Sequence, residues 1–237
     1  VPKPRELAPG EVPPYLENLN PRQKEAVECT EGPLIVLAGA GSGKTKMLTS
    51  RIAYLIDVKG VPPNRILAVT FTNKAAREMR ERVERGLAHS NFMGVPEIGT
   101  FHAICVRILR NELQATPFTK PFVIYDDSDQ LSLIKRVFEK IGLDDKAFNP
   151  KGMQSAINRL KCDAVEPSEL EPLAHDIFER QLKRVYEEYQ KSLFSNNALD
   201  FGEILCMVYR MFRDQPTIRE KYQNRWPYLH VDEYQDT

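Results

Sequence analysis

The sequence predicts an α/β fold, a parallel β-sheet flanked by helices and interrupted by a mostly α-helical insert. Three observations carry that reading. Short apolar runs recur at Leu34–Leu37, Ile66–Phe71, Glu97–Phe101 and Tyr228–Val231, and helical patterns separate the first three; buried strands alternating with helices build a parallel sheet. The first run passes into a glycine-rich loop, Ala38-Gly39-Ala40-Gly41-Ser42-Gly43-Lys44-Thr45, that opens a helix. From about Asn111 to Phe194 no strong strand follows Phe122–Tyr125, and amphipathic helical periodicity takes over.

Each element has its own signal. Residues 1–18, rich in Pro, Glu and Lys, read as a loose leader. After Thr72, the residues Ala75, Ala76, Met79, Val83 and Leu87 share one helical face. Arg77, Arg80 and Arg82 lie elsewhere around it, interleaved with Glu78, Glu81 and Glu84, as on a solvated, salt-bridged surface. In the insert, Asp127-Ser128-Asp129-Gln130 resembles a capping box before Leu131, Ile134, Val137, Phe138 and Ile141, with Gly142 as the stop. Asn149-Pro150 opens a helix carrying Met153, Ile157 and Leu160. Ser168-x-x-Glu171 opens another through Leu173, Phe178, Leu182, Val185 and Tyr189. These stripes read as core. Asp200 then caps a helix through Phe201, Ile204, Leu205, Val208 and Phe212, where the α/β pattern resumes. The expected division is a leader over 1–18, a sheet domain over 19–110 and 195–237, and a helical insert over 111–194.

At 237 residues and 27.2 kDa the chain can bury a sizeable core in one or two domains. Its 33 basic residues balance 33 acidic ones, so any contact with nucleic acid must come from a local groove. Cys29, Cys105, Cys162 and Cys206 are far apart, form no Cys-x-x-Cys pair, and read as reduced thiols of a cytoplasmic protein. There is no signal-peptide pattern and no apolar run of membrane-spanning length. The chain begins with Val1-Pro2 and stops at Thr237, four residues after Glu233, whereas a nucleotidase sheet continues past its acidic strand. It therefore reads as a fragment of something larger.

The chemistry concentrates in two places. A glycine-rich loop between a strand and a helix, ending in Gly-Lys-Thr, is a phosphate-binding loop. Its small residues let backbone N–H groups turn inward onto phosphate oxygens. Lys44 would place its charge on the β/γ-phosphates, Thr45 would ligate Mg²⁺, and the helix adds its positive dipole end. Ala38 stands where the usual pattern has its first glycine, and a small residue still fits. Near the other end, the apolar run Tyr228–Val231 leads into Asp232-Glu233. There Asp232 would hold Mg²⁺ and Glu233 would polarise the attacking water.

Five stretches in order, Leu19–Gln23, Ala38–Thr45, Val69–Ala76, Gly99–His102 and Asp232–Thr237, resemble the N-terminal motifs of superfamily 1 DNA helicases of the UvrD/PcrA/Rep type. The resemblance implies a RecA-like motor domain (1A) with an inserted helical domain (1B), ATP and Mg²⁺ as cofactors, and 3′→5′ movement on single-stranded DNA in repair or replication. By position it implies that Gln23 reads the adenine edge, and that Gln235 senses the γ-phosphate and couples hydrolysis to movement. Lys46 follows the loop where relatives commonly carry Arg, and it lacks the planar fork that stacks on a base. Phe71, Thr72 and Asn73, with Thr100, Phe101 and His102, are implied to face DNA, Phe71 by base stacking and His102 near the phosphate backbone. Taken alone, Phe71 reads as a strand-end core residue and His102 as a satisfied core histidine.

The family also carries a second RecA-like domain (2A) that brings arginine fingers, worth about 10³–10⁵-fold in related sites. This chain is thus expected to bind nucleotide weakly, hydrolyse it very slowly and not unwind ss/ds junctions, with self-association through an apolar patch near Tyr228. A RecB/AddA-like helicase–nuclease shares the motifs, and a passive DNA-binding module holding a structural anion stays open as a further alternative.

Overall fold

The structure, a computed structural model, describes residues 5, 7–8, 10–39, 41–88, 90, 94–171 and 176–236. In chain order the elements are α1 (Pro21–Glu28), α2 (Lys44–Asp57), β1 (Ile66–Thr70), α3 (Asn73–Gly86), β2 (Glu97–Thr100), α4 (Phe101–Asn111), β3 (Val123–Tyr125), α5 (Asp127–Ile141), α6 (Pro150–Cys162), α7 (Ile177–Ser195), β4 (Ala198–Asp200), α8 (Phe201–Asp214), α9 (Pro216–Arg225) and β5 (Tyr228–Val231). The chain divides into two units, Val1–Phe101 with Thr217–Thr237, and His102–Pro216.

The first unit is built on a parallel sheet of order β2-β1-β5. β1 is buried at every position, as a central strand covered on both faces must be. The register pairs Leu67 with Glu97 on one side and with Leu229 on the other, so Thr70, Thr100 and Val231 end together along one sheet edge. Ile52, Leu55 and Ile56 of α2 and Met79 and Val83 of α3 pack with Ile66, Ala68 and Ile98 into the core. Asn20 caps α1 in a capping box with Gln23, and Thr72 caps α3 by accepting from Ala75 N–H.

The expected strand at Leu34–Leu37 is not formed. Residues 33–39 have no regular structure, and Ile35 and Leu37 are 72% and 91% exposed. A strand satisfies its backbone only through a neighbouring strand. In the sheet β2-β1-β5 neither outer edge, along β2 or along β5, pairs with 33–39, so the run has no strand partner among the described residues. The leader also departs from the expectation of looseness. Tyr15 and Leu16 join the core, Tyr15 Oη donates to Asp57 at 2.9 Å, and Ser50 Oγ donates to the Tyr15 carbonyl at 2.6 Å.

The second unit wraps α5, α6 and α7 around Phe138, Ile134, Met153, Ile157, Tyr189 and Leu193. Its two-stranded parallel sheet pairs Ile124 with Leu199. This pairing, with α8 packed on α6, places 195–216 in this unit rather than in the sheet domain, and the division falls after Phe101 rather than near 110. Two helix starts also shift. The cap of α5 is Asp126, boxed with Asp129, and Gly142 ends the helix at φ +67°. α7 begins at Ile177 behind Asp176, while Ser168 sits in a short 3₁₀ turn and Leu173 lies outside the described residues. Asn149 and Asp200 cap α6 and α8 as their sequences predict. All four cysteines are free, and no helix among the described residues is long and apolar enough to cross a membrane.

Candidate nucleotide and DNA site

The parallel strands bring the motifs to one edge because each strand's C-terminus feeds a loop there, the usual place for a ligand in such sheets. Asp232 follows β5 directly, its N–H donating to the Val69 carbonyl at 3.0 Å. The glycine-rich loop lies opposite. Gly43 caps α2 in the left-handed region at φ +84°, and Gly41 takes φ +73°, conformations that side chains resist. A Cβ at Gly39 or Gly41 would meet nothing within 4 Å, so the loop's inner surface is open. No side chain caps the first turn of α2, leaving its N–H groups for an anion. Ala40 lies outside the described residues.

The loop and the acidic strand meet at one contact. Thr45 Oγ1 lies 3.3 Å from Asp232 Oδ2, across 187 positions of sequence. Above it opens a cavity of about 840 Å³ lined by Ala38, Gly41, Gly43, Lys44, Glu233 and Gln235 among others. Lys44 Nζ donates to the Ala38 and Gly39 carbonyls at 3.1 and 3.2 Å, and Ser42 Oγ donates to the Gly39 carbonyl at 2.7 Å. Burial, and then the neighbouring Glu233 charge, raise the Asp232 carboxyl above its ordinary range. Thr45 and Lys44 oppose that rise. A buried carboxylate and a hydroxyl beside a second carboxylate form a hard-oxygen donor set that suits Mg²⁺, and the open, uncapped loop suits phosphates. Glu233 stands in the left-handed region at φ +53°, and Gln235 Nε2 donates to its carboxylate.

Two residues expected at the nucleotide are engaged elsewhere on the loop's flank. Gln23 Oε1 accepts from Asn20 N–H at 2.9 Å, and its amide donates to the Ser42 carbonyl at 2.8 Å. A Gln keeps one further N–H and one lone pair in that state. Lys46 reaches the Glu17 and Asn18 carbonyls at 3.4 and 3.2 Å and also lines the cavity. Arg82 also lines the cavity, although its sequence context reads as a solvated face. Its interleaved glutamates mask it in sequence, yet the Glu78 pair spans 3.9 Å and leaves the Arg82 side chain 41% exposed.

Phe71, Thr72, Asn73, Thr100 and Phe101 cluster at the ends of β1 and β2. Thr70 pairs with Thr100 across the ladder, and the Phe71 and Phe101 rings lie 5.3 Å apart at 53°. Phe71 is 42% exposed, so its face remains open rather than buried as core. His102 belongs to the second unit, where its ring lies edge-on to Phe201 at 5.5 Å. Burial lowers its pKa, against a hydrogen bond to the Phe201 carbonyl that favours the charged form.

The sequence is similar to those of known proteins. A family profile described as the UvrD/REP helicase N-terminal domain matches residues 19–237. The chain is 46% identical over 224 residues to a protein named ATP-dependent DNA helicase PcrA from Bacillus subtilis (strain 168), covering 94% of this chain and 30% of that one. A protein of the same name from Staphylococcus aureus (strain Mu50) is 45% identical over 222 residues, with the same shares covered. The chain thus spans under a third of the length of these relatives. With the matched profile spanning both units and both halves of the cavity, the chain belongs to the UvrD/REP helicase N-terminal domain family.

Proposed function

We propose that this chain is the ATP-binding and DNA-contacting part of a cytoplasmic ATP-dependent DNA helicase that moves 3′→5′ on single-stranded DNA, in repair or replication. The observation that carries the reading is the 3.3 Å contact between Thr45 and Asp232 beneath the cavity, which joins the phosphate loop to the acidic strand. Lys44 leaves its loop carbonyls for the β/γ-phosphates, and the free N–H groups of α2 take the remaining oxygens. Thr45 and Asp232 would hold Mg²⁺, which when bound supplies positive charge against the phosphate oxygens. Glu233 orients and deprotonates the attacking water, and Gln235, already bonded to Glu233, reports the γ-phosphate from the same side. The exposed face of Phe71 stacks on a base, worth about 1–3 kcal/mol in comparable sites. A second RecA-like domain closes over the nucleotide and supplies arginine fingers, so this chain by itself hydrolyses slowly.

Calorimetry of Mg·ATP binding to this chain, with Lys44→Ala as control and with oligo-dT added, tests the reading. Saturable binding that Lys44→Ala abolishes while oligo-dT binding persists is expected. Equal nucleotide affinity in both proteins would refute the site.

A further inference from the structure

The second unit holds a buried charge cluster that the nucleotide site does not use. Lys161, near the end of α6, has a fully buried ammonium 2.7 Å from Asp200 and 3.1 Å from Glu203, whose carboxylates are buried as well. Arg210 pairs with Glu203 and lies 3.1 Å from Glu166. Tyr189 Oη donates to the same Asp200 oxygen at 2.6 Å, and Gln130 approaches that oxygen at 3.5 Å. Desolvating such ions costs as much as their attraction returns, so apolar residues would hold this core equally well. What the ions add is a fixed geometry.

That geometry ends at one imidazole. The other Asp200 oxygen accepts the Glu203 N–H at 2.7 Å and caps α8, so the carboxylate that holds Lys161 also sets where α8 begins. Gly202 brings the two together. A Cβ there would lie 2.9 Å from Lys161 Cβ and 3.1 Å from its Cδ, closer than side chains tolerate. The first turn of α8 therefore rests on the lysine stem. The ring of its first residue, Phe201, meets the His102 ring edge-on at 5.5 Å and 86°.

We propose that Lys161, acting through Asp200 and the first turn of α8, is a positioning residue for His102, holding the imidazole in the orientation in which it meets the DNA backbone. The proposal rests on the DNA-facing reading of His102. A residue placed by a rigid, hydrogen-bonded support keeps its geometry between turnovers, whereas one on a free helix end does not.

The test is nuclear magnetic resonance of the histidine side chains in this chain, with the His102 signal identified by its loss in His102→Asn, and oligo-dT and Mg·ATP affinities measured alongside. Gly202→Ala keeps every charge and pushes α8 off the Lys161 stem; Lys161→Met removes the ion; Lys151→Met removes an exposed charge from α6 as control. In Gly202→Ala and Lys161→Met, the His102 signal and titration midpoint are expected to move and oligo-dT affinity to fall by up to about tenfold. Mg·ATP affinity stays, and the control matches the original protein. An unchanged His102 signal in folded Gly202→Ala, even with lowered stability, overturns the proposal by showing a merely structural cluster. If Lys161→Met does not fold, Gly202→Ala decides. If His102→Asn itself leaves oligo-dT affinity intact, the DNA reading of His102 falls, while the imidazole signal still decides the positioning role.

Discussion

Glu233 stands out by its backbone. A glutamate at φ +53° costs about 1–3 kcal/mol, and such strain is characteristically stored where a side chain must be aimed. Here it turns the carboxylate into the cavity beside Gln235. In a protein that carries both this chain and a second motor domain, Glu233→Gln is expected to keep nucleotide affinity and lower turnover by about 10²–10⁴-fold. Single-turnover hydrolysis at the original rate would remove the general-base role. Three residues back, His230 is buried next to the Arg51 charge, and burial first, then Arg51, hold its pKa down at about 4. Unfolding frees the imidazole to take a proton near pH 6.5, so the unfolded chain binds more protons below that pH. The His230 contribution to stability is therefore whole above about pH 6.5 and is expected to fall as the pH drops towards 4, by about 3 kcal/mol in total. Denaturant melts of the original protein and His230→Leu across that window check this; the slope should flatten in the variant.

At the scale of elements, the local signals were legible where one backbone group had one clear acceptor. Asn149, Asp200 and Gly142 do what their positions predict. They were misjudged where acceptors crowd. Asp126, Asp127, Ser128 and Asp129 can each cap α5, and the reciprocal bonds decide it: Asp126 accepts from the Ser128 and Asp129 N–H groups while Asp129 accepts from the Asp126 N–H. Ser168 is taken up by the short 3₁₀ turn Pro167–Glu169, and Asp176 caps α7 by accepting from Glu179 N–H. The segment at Leu34–Leu37 has full strand character in sequence and none in structure, because an apolar run becomes a strand only by pairing. Its contribution to stability should match. Leu37→Ser is expected to change the unfolding free energy by less than about 0.5 kcal/mol. Ile66→Ala, in the fully buried central strand, should cost about 2–5 kcal/mol. Comparable losses in a denaturant titration would mean that 33–39 is packed in solution.

Across the whole molecule, balanced charge leaves no net repulsion between copies, and apolar surface stays open on the first unit. Leu229 of β5 is 59% exposed, and Ile35 and Leu37 add to the apolar surface. Reversible self-association that rises with concentration is expected in sedimentation velocity, and Leu37→Ser should reduce it. A single monomer boundary at high concentration would count against it.

The glycine-rich loop, its lysine and threonine, the acidic pair, the caps at Asn149 and Asp200, the stop at Gly142 and the stripes that became two cores are written in the sequence alone. All of these depend on spacings within a few residues, where chain geometry permits few arrangements. Only the tertiary structure decided that Thr45 meets Asp232, that Lys46 turns to the Asn18 carbonyl, that Arg82 borders the cavity, and that Lys161 is buried under the first turn of α8. Each of those contacts joins residues from 28 to 187 positions apart, or a side chain to a cavity built by such joins. Their partners are chosen by which faces pack together, and no local pattern records that choice.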